Sequence, residues 1–338
     1  MRPPMAKIFI ASPALRSANN GNWQTANRWF TFLHAGYQVS LGAEWPAPGQ
    51  LKKPPDCLIA LHARRSAPTI ARFADACPDR PLVVVLTGTD LYRDIRVDDS
   101  ARRSLDLATQ LVVLQEEGLA EIPGTHRPKC RVIYQSAPAC KLAVPATHRR
   151  RTFDVVLVGH MRAEKDPLTP MRALERLSDT SQVRLIHIGR AQDDEYRLAA
   201  QALQTRTWPT VQRYVWHPGL PHGATLRLIA NADAMIISSV MEGGANVIIE
   251  AVNAGVPVLA SYIPGNVGML GRDYDGYFLP GDDRALAGLL DRVSQDRSFL
   301  TALQTQCIRR ASLFAPTREE AEVIALVRDA FGKRFEVS

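Results

Sequence analysis

The sequence has little cysteine: five residues in 338, at Cys57, Cys77, Cys130, Cys140 and Cys307. No two of them have the close spacing of a zinc or dithiol motif, and an odd, scattered set is not a disulfide framework. The expectation is a reduced, cytoplasmic chain with buried free thiols. No apolar run approaches the ~18 residues that a membrane span requires. The opening "MRPPMAKIFIASPAL" has an early Arg and a short apolar run, but prolines interrupt it on both sides and it is too brief for a signal peptide. Blocks of like charge are nearly absent, which argues against a non-catalytic binder of nucleic acid or membrane, although Trp23 and Trp29 beside Arg28 would suit such an interface. Neither GxGxxG nor GxxxxGK[ST] occurs, so no motif supports a dinucleotide site or a P-loop. No carboxylate pair or metal-ligand cluster asks for a cation, and metal-independent chemistry is expected.

What is present is an ordinary globular composition, 46% apolar and 22% charged, long enough for two domains of roughly 150 residues each. The formal charge of +7 suits an anionic ligand such as a phosphate, a nucleotide or a lipid headgroup. Short Val/Ile/Leu-rich runs recur with room for one helix between them. In the first half they are "KIFIASP", "YQVSLG", "CLIALH", "PLVVVLTG", "LVVLQ" and "RVIYQ"; in the second, "FDVVLVGH", "VRLIHIG", "AMIISS" and "VPVLAS". Such runs, ending in Gly, Ser or Pro and alternating with amphipathic segments, predict buried parallel strands in βαβ units. In "NWQTANRWFTFLHAG" the residues Trp23, Ala26, Phe30 and Leu33 form one helical stripe that stops at Gly36. The Arg-rich "PATHRRRTF" reads as a linker, and "APTREEAEVIALVRDAFGKRF" as one amphipathic helix opened by Pro316 and Thr317, with Glu319 and Glu320 in its first turn. The predicted fold is α/β: two doubly wound Rossmann-like domains, 1–148 and 149–315, facing each other across a cleft, with a C-terminal helix over 316–338.

The stretch "SSVMEGGANVIIEAVNAGVPVLAS" places Glu242 and Glu250 in an otherwise small and apolar run. It follows a predicted strand, and a helix should begin near Asn246 and end at Gly255 with Pro257 beyond. In open α/β sheets, ligands sit at the carboxyl ends of strands, where helix N-termini point their unpaired N–H groups. Gly243 and Gly244 would let a ligand approach the backbone. A carboxylate at Glu242 would compete with phosphate for those N–H groups, so its natural partner is a neutral polyol, and Glu250 could accept from a second diol. Equally open is a plain loop charge at Glu242 and a dipole-favoured helix residue at Glu250. A second cluster, "VVLVGHMRAEKDP", sets Gly159, His160, Arg162 and Lys165 just after the first strand of the same domain, as a diphosphate would require. The alternative is a basic loop paired with its own Glu164 and Asp166.

These two segments, in this order, resemble the E-x7-E and G-R-L-x-x-x-K motifs of the GT-B glycosyltransferases that use nucleotide sugars. The resemblance extends over most of the chain, with "SPALRSANNGNW" at the family's Gly-rich loop and "LTGTDLY" where H-G-x-D often stands. It implies that Glu250 holds the ribose and Glu242 the donor sugar. Gly243, Gly244, Ala245, Asn246 and Val247 would surround sugar and phosphates with backbone groups, and Lys165 with Arg162 or His160 would neutralise the departing diphosphate. Val215, in the loop "YVWHPG" (Tyr214 to Gly219), would pack the base, largely through backbone groups. Catalytic roles thus fall on Lys165, Arg162 and Glu242; UDP is the expected nucleotide, as a substrate, with no cofactor.

Two departures matter: His160 stands where the family has Arg, and Thr87 replaces a common His. Moreover "ALHARRSA", "VVVLTGTDLYRDI", "VIYQSA" and "VGHMRAEKDP" resemble one subgroup, the selenosugar synthases of selenoneine biosynthesis. That resemblance implies selenophosphate as acceptor, UDP-N-acetylglucosamine or UDP-glucose as donor, a 1-seleno-sugar as product, and the pathway's other enzymes as possible partners. An anion with an exposed selenium needs charge and placement more than a general base. The first domain offers His62, Arg64 and Arg65 after a strand, backbone N–H groups around Asn20, Gly21 and Asn22, and Thr87, Asp90, Arg93 and Arg96. Each Arg has a surface ion pair as its plainer explanation, His62 and His187 core roles, and Asp90 either a helix cap or an acceptor-orienting role. A UDP-sugar transferase with an ordinary hydroxyl acceptor is the alternative.

Overall fold

The computed structural model describes residues 5–15, 21–46, 53–138 and 151–332. The apolar runs become strands, the central ones buried on both faces as parallel sheets covered by helices demand, the edge strands Gln38–Gly42 and Cys130–Val132 only partly buried. In the first half these are β1 (Lys7–Ala11), β2 (Gln38–Gly42), β3 (Cys57–Leu61), β4 (Leu82–Leu86), β5 (Gln110–Val113) and β6 (Cys130–Val132). In the second half they are β7 (Phe153–Val158), β8 (Val183–Ile188), β9 (Tyr214–His217), β10 (Ala234–Ile237), β11 (Val258–Ser261) and β12 (Tyr277–Phe278). The first-half helices are α1 (Gly21–His34), α2 (Ala67–Ala76), α3 (Ile95–Val97), α4 (Asp99–Leu107) and α5 (Gly118–Glu121), and a π-helical turn spans Asp90–Asp94. The second half carries α6 (Leu168–Arg176), α7 (Asp194–Thr205), α8 (His222–Ala230), α9 (Asn246–Ala254), α10 (Pro264–Leu270), α11 (Asp283–Gln295) and α12 (Arg297–Arg310), before α13 (Pro316–Phe331).

The chain divides into two compact units. The first comprises Met1–Ser136, Glu242–Gly244 and Pro316–Ser338; the second Ala137–Met241 and Ala245–Ala315. The first sheet has the order β2-β1-β3-β4-β5-β6 and the second β12-β11-β10-β7-β8-β9, with every pair parallel. Both are doubly wound. The order reverses between β1 and β3 in the first sheet and between β7 and β10 in the second, and such reversals are where α/β sheets bind ligands.

In the first unit, helices cover both faces of the sheet. One layer joins Phe73, Ile95 and Leu105 to Leu58 and Val84; the other joins Trp29 and Leu33 of α1 and Val323, Leu326 and Phe331 of α13 to Ile8, Ile59 and Val85. The buried face of α1 is Thr25, Ala26, Trp29 and Leu33, one step round from the predicted stripe, with Trp23 and Phe30 only half-buried. The reason is chemical: the Trp29 indole N–H donates to Glu319 Oε1 at 2.9 Å. Glu319 is 1% exposed and accepts also from Arg28 Nε (3.0 Å), Ser136 N (2.7 Å) and Ser136 Oγ (2.6 Å). Glu319 is therefore an anchor for α13 within the first unit, which goes well beyond a first-turn dipole contact. The predicted linker over 145–153 lies mostly outside the described residues.

Candidate nucleotide-sugar site

The basic cluster predicted after β7 stands at the reversal point of the second sheet. Its loop is held by main-chain geometry from both sides. Gly159 N donates to Ile188 O at 2.9 Å, Met161 N to Arg190 O at 2.8 Å and Gln192 N to Met161 O at 3.0 Å. Gly189 has φ +155°, and a Cβ on it would lie 1.9 Å from Gly159 O, so only glycine fits where these two strand ends meet. Beneath them His187 is fully buried. Its Nδ1 lies 2.9 Å from the Tyr214 hydroxyl and the ring bonds the Gly159 backbone, while burial pushes its pKa down to about 3. His187 is thus a neutral core support of the loop.

On the β10 side, buried Ser238 donates to Lys165 O and Asp166 O, each at 2.9 Å, and Val240 N donates to Glu164 O at 3.0 Å. These bonds fix the Ala163–Lys165 turn that carries the lysine. Asp166, in the left-handed region at φ 42°, is spent on α6, accepting from Thr169 Oγ1 at 2.6 Å and Thr169 N at 3.3 Å. Glu164 stands 3.8 Å from Arg162, and both are partly exposed, so this pair is weak. His160 Nδ1 accepts from Arg190 N at 3.1 Å, leaving the proton on Nε2. Burial, then the charges of Arg190, Arg162 and Lys165, hold its pKa below the usual histidine range. His160 is therefore a neutral donor among three cations. Arg190 is one residue that sequence reading missed: only the β7–β8 pairing brings it beside the loop.

α9 begins at Asn246 behind Ala245, whose backbone is extended and whose side chain supplies no cap. No acidic residue occupies its first turn, and Asn246 Oδ1 is buried without a partner. Val247 is half-buried in the same turn. The positive end of the helix is thus uncompensated by side chains. Glu250, one turn further, has its carboxylate 11% exposed and bonded through Oε1 to His222 Nε2 at 2.9 Å. Glu242, Gly243 and Gly244, in the loop after β10, are counted with the first unit. Val215 departs from its predicted place. It lies inside β9, paired with Ile186 and short of the strand's carboxyl end, because Tyr214–His217 extends the sheet instead of forming a loop.

In the first unit, His62 follows β3 with φ 71°, a conformation that a side-chain-bearing residue adopts only under local constraint. Its Nδ1 accepts from Arg65 N at 3.2 Å and its Nε2 lies 3.0 Å from Thr89 Oγ1, which makes it a neutral Nε2–H tautomer; burial lowers its pKa. Asp90 is fully buried and accepts from Thr87 N and Gly88 N through Oδ1 and from Ala63 N through Oδ2, all at 2.9 Å. It clasps two loops and has no oxygen turned to an acceptor, which corrects the acceptor-orienting role. Arg64 and Arg93 both bond the buried Asp94, at 2.9 and 3.1 Å, and Arg96 pairs with Glu121, so all three have ion pairs. Gly21 is exposed and Asn22 half-buried at the start of α1, whereas Asn20 lies outside the described residues. Among the described residues no group of His, Cys, Asp and Glu could hold a metal ion, and no helix is long and apolar enough to cross a membrane.

Two parallel sheets of this order, with a basic turn at the reversal of the second, define a GT-B architecture. Residues 145–313 match the family described as Glycosyl transferases group 1, and the chain belongs to it. Similar solved structures include HepE from Anabaena in complex with UDP and glucose, at 17% identity and a TM-score of 0.71 over 96% of this chain and 99% of that one. Sucrose-phosphate synthase from Thermosynechococcus elongatus shares 16% identity, TM-score 0.74, over 96% and 99%. An α,α-trehalose-phosphate synthase (UDP-forming) from Burkholderia vietnamiensis shares 11%, TM-score 0.76, over 99% and 100%. No curated protein sequence matches the chain.

Proposed function

We propose that the chain is a UDP-sugar-dependent glycosyltransferase whose acceptor is selenophosphate. The observation that carries the donor half is the gathering of Lys165, Arg162, Arg190 and the α9 N-terminus at the reversal point of the second sheet. Three positive side chains and a row of helix N–H groups suit a diphosphate that carries two negative charges in the sugar nucleotide and gains a third as it departs, and neutral His160 adds a donor without competing for protons. Stabilising that leaving group is the main catalytic contribution, with Lys165 and Arg162 as catalytic residues. Glu250 takes the ribose diol, and Glu242 the donor sugar. UDP-bound similar structures support uridine as the base.

The acceptor half rests on the subgroup resemblance and on how the first unit spends its polar groups. Asp90 and His62 are engaged by loop backbone and Thr89, so neither is left as a general base. That arrangement suits a nucleophile that arrives already anionic. Its selenium attacks the anomeric carbon as the C–O bond to UDP breaks. Water then cleaves P–Se, giving the 1-seleno-sugar and phosphate. Selenoneine biosynthesis is the corresponding pathway. A hydroxyl acceptor is the second reading, favoured by the sugar-phosphate synthases among the similar structures. Incubation with UDP-N-acetylglucosamine or UDP-glucose and selenophosphate, followed by mass spectrometry, separates the two. A selenium-bearing hexose is expected; product only from a hydroxyl acceptor would select the second reading.

A further inference from the structure

Glu250 is not alone on its helix surface. Its Oε1 is held by His222 Nε2 at 2.9 Å, and among the described residues Oε2 has no hydrogen-bond partner. His222 opens α8 behind Pro221, on a helix packed against α9. A carboxylate can only accept, so Nε2 is the donor, whichever protonation state the ring adopts. The Glu250 bond raises the His222 pKa against burial, which makes the contact charge-assisted. A glutamate side chain otherwise samples several rotamers, and fixing one oxygen leaves the other with a single direction to face.

From this geometry we infer that His222 is a positioning residue: it sets the Glu250 carboxylate so that Oε2 meets the ribose diol of the donor. The inference rests on the nucleotide reading above. It also means that Glu250 offers the ligand one ready oxygen while His222 retains the other.

The test is calorimetric binding of UDP and of 2′,3′-dideoxyuridine 5′-diphosphate to the full chain and to two polar variants. His222→Gln places an amide nitrogen where Nε2 lies, whereas His222→Asn reaches only the Nδ1 position; both keep the half-exposed site polar, and thermal unfolding confirms that each folds. The native chain should lose roughly tenfold in affinity when the diol is removed, the worth of one charge-assisted hydrogen bond. In His222→Asn that penalty should shrink to about threefold or less, with UDP itself bound more weakly, because the bond to an unpositioned carboxylate forgoes part of that worth. His222→Gln should behave like the native chain. An undiminished dideoxy penalty in His222→Asn, or a Gln variant no better than the Asn variant, overturns the positioning role while leaving the nucleotide site standing. Absence of UDP binding to the native chain would instead overturn the nucleotide reading and this inference together.

Discussion

Substituting Gly189 by Ala should damage the donor site without removing any side chain that contacts substrate. The added Cβ would lie 1.9 Å from Gly159 O, against a floor of 3.0 Å for real Cβ contacts. Because the obstacle is backbone, the ends of β7 and β8 must separate by at least about 1.1 Å. The positive φ adds strain of roughly 1–3 kcal/mol for a residue with a side chain, and overpacking a filled position costs about 1–3 kcal/mol more. Gly159 is the first residue of the loop that carries His160, Arg162 and Lys165, so the shift passes directly to the cations. Misplacement of about 1 Å can cost on the order of a hundredfold in turnover. The assay is UDP release with a coupled enzyme, alongside thermal unfolding. The expected result is a folded variant with a lowered Tm, kcat/KM down about a hundredfold and weakened UDP binding. Turnover within a few-fold of the native chain would refute the claim that Gly189 sets the loop.

Lys165→Ala should lower kcat by roughly a hundredfold to a thousandfold, the usual loss on removing one transition-state charge partner, with an unchanged circular dichroism spectrum; near-native turnover would contradict its role. Glu319→Ala leaves Arg28, the Trp29 indole and Ser136 without their shared acceptor, and urea unfolding should show about 3–5 kcal/mol of lost stability, whereas a loss under ~1 kcal/mol would count against the anchor. For acid stability, His187 has a folded pKa near 3, below its unfolded value, so its contribution is fully present above pH ~6.5 and is lost as pH falls toward 3. His62 and His160 are depressed in the same sense. Unfolding measured at pH 7.5 and 4.5 should assign about 3 kcal/mol of the acid-side loss to His187, a loss that His187→Gln removes; an identical pH slope in the variant would refute it.

Most of the strands that sequence reading found are central ones buried on both faces, where unbroken Val, Ile and Leu leave one interpretation, although it also found the partly exposed edge strands β2 and β6. It missed β9 and β12, the two edges of the second sheet, where partial exposure admits Trp, His and Tyr into the strand. The wrong face on α1 has a similar origin. Trp29 turns inward for a carboxylate on α13, far along the chain, and no local periodicity encodes that partner. At the candidate site, the residues legible in sequence were those contiguous in the chain, Gly159 to Lys165 in one loop and Glu242 to Glu250 in another loop and its following helix. Arg190 and His222 were not, because strand pairing and helix packing deliver them from other segments. Asp90 was legible as a polar residue after a strand, but only its three backbone donors reveal that it clasps loops.

The central claim is that the second unit grips a uridine diphosphate through its basic turn and the N-terminus of α9. Isothermal titration of UDP into the native chain, repeated with Lys165→Ala, tests it most directly. Saturable one-to-one binding that weakens by about tenfold or more in the variant is the expected result. No binding, or equal binding to both chains, would contradict it.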